Sequence, residues 1–96
     1  MAEVRIHAGA DADYCEAYIW YYRQSEEAAG RFEAEFQEAL DRIRRHPANW
    51  AVYDATRWFV TLKKFPFHVI FRLKGEVIWV VALAHGSRDP DYWRGR

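Results

Sequence analysis

Phe65-Pro66-Phe67-His68-Val69-Ile70-Phe71-Arg72-Leu73-Lys74-Gly75-Glu76-Val77-Ile78-Trp79-Val80-Val81-Ala82-Leu83-Ala84 contains two strands and the turn that joins them. From Phe67 to Leu73 the pattern alternates. Phe67, Val69, Phe71 and Leu73 fall on one face and His68, Ile70 and Arg72 on the other, the two-residue period of a half-covered strand. Lys74-Gly75 predicts a tight turn and hence a hairpin. Glu76 to Ala84 is apolar on both faces, as a central strand covered on both sides would be. Upstream, Thr56 to Leu62 sets Trp58, Val60 and Leu62 against Arg57, Phe59 and Thr61, and Phe65-Pro66 makes the connection. Three strands joined by short turns form an antiparallel meander.

Towards the N-terminus, Glu3 to Ala8 reads as a short strand broken by Gly9. Asp13, with Glu16 three residues on, has the form of a helix cap and predicts a helix to about Gln24. Tyr14, Tyr18, Tyr21 and Tyr22 share one face of it, a core-facing stripe. Trp20 points elsewhere, which makes it the candidate for a partner contact. Ser25 caps a second predicted helix to about His46, whose apolar stripe is Phe32, Phe36, Ala39, Leu40 and Ile43. Glu27–Arg31, Glu38–Arg42 and Asp41–Arg45 are helix-surface pairs with the acid first. Pro47 stops this helix, and Ala48 to Ala55 reads as a loop. The expected fold class is therefore α+β, in the order β-α-α-β-β-β, with a helical hairpin packed on one face of a largely antiparallel sheet. The other face, bearing Arg57, His68 and Arg72, is expected to be partly polar and open.

Ninety-six residues are enough for one domain spanning 1–96. Formal charge is zero but polarised: Met1 to Thr56 carries 6 basic and 11 acidic residues, Arg57 to Arg96 carries 8 and 3. A basic second half keeps anionic partners in view. Cys15 is the only cysteine, which excludes an intrachain disulfide and suits a reducing compartment. With neither a signal peptide nor an apolar run of about eighteen residues, a cytoplasmic protein without membrane association is expected. The four histidines show no metal-binding spacing, and the scattered glycines form no phosphate loop, so neither a metal nor a cofactor is expected. Five Trp exceed the needs of a small core, and some should be exposed for a partner.

The chain leaves the last strand through His85-Gly86-Ser87-Arg88-Asp89-Pro90-Asp91-Tyr92-Trp93. Metal-free RNA cleavage needs a proton acceptor, cations for the charged phosphorane and a proton donor. His85 suits the acid–base role, Arg72 and Arg88 charge stabilisation, and Tyr92 stacking or proton donation. Plain structural roles suit them too: Arg88 can pair with Asp89 or Asp91, and His85 can close the strand.

At these residues the sequence resembles the RelE/ParE superfamily of type II toxin–antitoxin toxins. The resemblance rests on the element order, Ala39-Leu40-Asp41-Arg42-Ile43 leading to Pro47, Arg57 in the first meander strand, the Phe65-to-Arg72 segment and the His85-to-Trp93 tail. It covers essentially the whole chain. It implies a toxin, of a class associated with plasmid stabilisation, neutralised by a small cognate antitoxin in a hetero-oligomer, with Trp20 as an antitoxin contact. Two targets stay open. RelE-like members are endoribonucleases that cut mRNA on the ribosome, with His85, Arg72, Arg88 and Tyr92 as the catalytic candidates here. ParE-like members poison DNA gyrase without catalysis, with Arg57, Arg88, Tyr92 and Trp93 as the target-binding candidates. Zero net charge and sparse lysine point to the gyrase branch, because ribosome binders meet a dense phosphate backbone. A non-toxic binding module on the same scaffold is the alternative of another class.

Overall fold

The computed structural model describes residues 3–86 and 92–96. A strand, β1 (Glu3–Ile6), leads directly into helix α1 (Ala8–Gln24). The cap is His7, not Asp13: its backbone is extended and its Nδ1 accepts from Gly9 N at 2.9 Å. Ala8 to Ala12 is thereby helical, and Asp13 lies inside the helix with its side chain turned to the core. Ser25 alone joins α1 to α2 (Glu26–Arg45). Its N–H donates to Tyr21 O at 3.0 Å, ending the first helix, while its Oγ accepts from Ala28 N at 2.9 Å, starting the second. A single residue that satisfies both helix ends leaves the two helices no choice but to fold back on each other.

Phe32, Phe36, Ala39, Leu40 and Ile43 are all buried, as their spacing predicts. All three expected acid-first pairs form on the outside of α2. Of the tyrosine stripe, Tyr14, Tyr18 and Tyr21 pack against the core, whereas Tyr22 lies half exposed and donates to Glu26 at 3.0 Å. After Pro47–Asn49, a single 3₁₀ turn, comes a strand too short to have periodicity: β2 (Ala51–Val52), within the stretch expected to be a loop.

The sheet is completed by β3 (Arg57–Thr61), β4 (Phe67–Lys74) and β5 (Val77–His85), in the order β1-β5-β4-β3-β2. β1 runs parallel to β5, and every other pair is antiparallel. Gly75, at φ 62°, makes the hairpin turn between β4 and β5. The pairing slips once: Ile70 faces Ala82 but Phe71 faces Val80, so Val81 is an extra residue in β5. Val80 consequently faces the helices while Val81 and Ala82 face away. Leu73, expected in the core, is 44% exposed because β3 begins only opposite Arg72 and leaves the end of β4 uncovered.

The face away from the helices was expected to be open. Much of it is instead a second apolar layer of Ile70, Val81, Ala82 and Ala84, closed by Trp93 from the C-terminal tail with Tyr53, Phe59 and Tyr92 around it, while the end near Gly75 with Arg72 and Lys74 stays polar and open. The apolar side chains on this sheet face expose too much surface to stay uncovered, and the tail removes it from water.

Candidate functional site

Trp93 was expected at a target interface but is fully buried. Its ring meets Tyr53 edge-on at 5.0 Å, and the Arg57 guanidinium lies 5.1 Å from its centroid. Arg57, the second target-binding candidate, is spent in the same place. It pairs with Asp54 at 2.9 Å and donates to Arg94 O at 3.1 Å, with its side chain only 14% exposed. Both residues fasten the tail to the sheet, since a Trp beside Ile70 and Ala82 is better buried than exposed and a cation is well placed over its ring.

The tail also closes the free edge of β5. Because β1 stops opposite Val80, the β5 backbone beyond it has no strand on that side among the described residues. Asp13 Oδ2 accepts from Leu83 N at 3.1 Å and from Arg96 Nη1 at 2.8 Å. Arg96 Nη1 also reaches Val81 O at 3.1 Å, and Tyr92 Oη lies 3.2 Å from Leu83 O and 3.3 Å from Asp13 Oδ2. Side chains therefore occupy the positions that another strand's backbone would take. Sequence reasoning gave Asp13 a capping role and missed its pairing with Arg96. The available signal was that Asp13 shares a face with Ala10 and Ala17, small residues that let α1 approach β5 closely; an acid on such a face requires a buried partner.

Of the candidate catalytic residues, His85 and Arg72 are not brought together. His85 pairs with Phe67 at one end of the hairpin and meets its ring edge-on at 5.1 Å. Arg72 pairs with Trp79 near the other end. Arg72 is five positions beyond Phe67 along β4, ~17 Å at about 3.4 Å per residue. Tyr92 holds the β5 edge. Arg88, together with Ser87, Asp89 and Asp91 of the same motif, lies outside the described residues. Among the described residues, no three His, Cys, Asp or Glu side chains converge as metal ligands would, and no helix is long and apolar enough to cross a membrane.

Two concave features of the described residues bear on function. The larger, about 1180 Å³, runs between α1 and the His85 end of the hairpin; Ala17, Trp20 and Tyr21 form one side and Pro66, Phe67, Leu83 and His85 the other. Trp20 and Ile19 are 57% and 50% exposed at its α1 side. Trp20 is held edge-on to Tyr21 at 5.0 Å, so it is presented rather than loose. The smaller feature lies on the opposite face, by Arg72.

Comparison with known proteins places this arrangement among relatives. The family described as "ParE toxin of type II toxin-antitoxin system, parDE" matches residues 4–90. Toxin ParE2 of Mycobacterium tuberculosis, in strains CDC 1551 / Oshkosh and ATCC 25618 / H37Rv, is 27% identical over 89 residues, covering 92% of this chain and 85% of its own. The solved structure "Chromosomal ParDE TA system from P. aeruginosa" holds a chain with the same fold: TM-score 0.75 at 21% identity, over 88% of this chain and 96% of that one.

Proposed function

The chain belongs to the ParE toxin family of type II toxin–antitoxin systems, and from that membership we propose that it arrests growth by poisoning DNA gyrase and is neutralised by its cognate antitoxin at the groove beside Trp20. The toxin acts in the cytoplasm, as one domain spanning residues 1–96, and does no chemistry of its own. The observation that supports a poison over a nuclease is the separation of Arg72 from His85 by most of the hairpin's length. Proton transfer and phosphorane stabilisation must act on one phosphate, each group within hydrogen-bond reach of it. Tyr92 points the same way, because its hydroxyl already faces Leu83 O and Asp13.

For the antitoxin, the groove offers a half-exposed tryptophan and a largely apolar lining, suited to a segment that orders as it binds. The outer edge of Tyr92 is one candidate for target contact, and Arg88, which lies outside the described residues, is kept as the other from the sequence alone.

The test is a supercoiling assay with purified gyrase beside a ribosome-dependent mRNA cleavage assay, each with the parent and His85→Ala. The expected result is loss of supercoiling activity, no cleaved message and near-full toxicity of the variant. A nuclease would instead lose roughly 10²–10⁴ in cleavage rate with His85. Ribosome-dependent cleavage abolished by His85→Ala would replace the gyrase reading with the nuclease one. Absence of growth arrest on expression would leave a binding module.

A further inference from the structure

On the sheet face turned away from the helices, one register row reads Arg5, Trp79, Arg72 and Arg57 across β1, β5, β4 and β3. Lys74 follows two residues beyond Arg72 on the same face of β4. A cavity of about 170 Å³ opens here, lined by His7, Arg72, Lys74, Trp79, Val81 and Arg96, with no carboxylate among them. Arg57 and Arg96 are committed to Asp54 and Asp13. Arg5 is exposed, held to Glu3 by a surface pair and resting 5.8 Å from the Trp79 ring. Arg72 and Lys74 hold no ion pair or hydrogen bond to the other described residues. Glu3 stands at the β1 side of the adjacent row, Glu3–Val77–Lys74, already bonded to Arg5.

Uncompensated cations gathered at one concavity repel each other, and a bound anion relieves that repulsion. The ring in their midst narrows the choice of anion. Adjacent strands lie ~4.8 Å apart, so Arg5 and Arg72 stand ~10 Å apart with the indole between them. Cation, aromatic ring, cation is the order in which an unstacked strand offers phosphate, base, phosphate. Duplex DNA hides its base faces and would leave Trp79 unused; an acidic peptide would match the charge and not the ring.

We propose that this cavity binds single-stranded nucleic acid, with Arg72 and Lys74 on one phosphate, Trp79 against a base and Arg5 beside the next phosphate. Binding carries no cleavage, since His85 is at the far end of the hairpin. The site stands independently of the choice of toxic target.

The experiment is fluorescence anisotropy of a labelled oligothymidylate with the full chain, titrated over a range of salt. Binding should weaken with salt, with a log–log slope of about −0.7 per phosphate contacted. Arg72→Glu and Lys74→Glu should each lower affinity about 10-fold or more and flatten that slope by roughly one contact. Trp79→Leu should lower affinity about 10-fold with the slope unchanged. Arg31→Glu, on the outer face of α2, should bind as the parent does. The two charge reversals break no ion pair or hydrogen bond among described residues and should melt with the parent, so they decide the matter even if Trp79→Leu folds poorly. Parent-like binding by both reversals, or equal displacement of the labelled strand by duplex DNA or polyglutamate, would overturn the proposal.

Discussion

Asp13 receives bonds from three directions: the Leu83 amide, the Arg96 guanidinium and the Tyr92 hydroxyl. Its side chain is 7% exposed and that of Arg96 19%, so neither charge has much water to fall back on. Removing one partner of such a pair costs more than forming it gains, because the other is left buried and alone. Asp13→Ala should destabilise the fold by ~3 kcal/mol, near the low end for buried pairs because Arg96 retains some exposure. Asp13→Asn, which keeps an acceptor for Leu83, should cost less. Denaturant titration of the two variants checks this, and an Asp13→Ala midpoint equal to the parent's would refute it. His68 gives a second prediction. Burial holds its pKa below the ordinary 6.5, with Thr61 Oγ1 2.9 Å from its Nδ1. The folded state therefore resists protonation more than the unfolded one. Stability should be level above the unfolded pKa and fall as pH drops from there through the folded value. Thermal melts between pH 5 and 7 should show this fall, and His68→Asn should flatten it.

Among the elements, those with repeated patterns were legible and those built by tertiary contact were not. The α2 stripe, its Ser25 cap and the Lys74-Gly75 turn can be read because each is specified within one helical turn or one hairpin. Phe36 belongs to this group: it is 4% exposed and 4.7 Å from the Tyr14 ring. Phe36→Ala should cost roughly 3–5 kcal/mol, measured by thermal or denaturant unfolding. The start of α1 misled because Asp13 and Glu16 have cap spacing, while the actual cap is a histidine, an uncommon choice fixed by the strand that precedes it. β2 has two residues and no period to detect. The tail misled most: an aromatic pair and an arginine after a strand resemble a docking surface, and nothing local says that Trp93 will close the sheet face or that Arg57 will lie against it. His85 and Arg72 looked close because each sits near a strand end, but an antiparallel hairpin puts those ends far apart.

At the scale of the molecule, the charge asymmetry becomes spatial. The two helices carry nine carboxylates and five arginines, whereas β3, β4 and β5 carry Arg57, Arg72, Lys74 and no carboxylate. The groove beside Trp20 opens on the helical side at the His85 end, and the basic cavity lies on the other face near the Gly75 turn. Two sites on opposite faces and at opposite ends of one hairpin should be separable by mutation. Trp20→Ala should weaken the cognate antitoxin by about 30-fold or more, the scale of an aromatic hot spot. The same variant should bind oligothymidylate as the parent does. Arg72→Glu should do the reverse, losing the oligonucleotide and keeping the antitoxin within a few-fold. Calorimetry with the antitoxin and anisotropy with the oligonucleotide, run on both variants, give four numbers. If each substitution damages both partners equally, a single continuous surface serves them, and the assignment of one face to each is wrong.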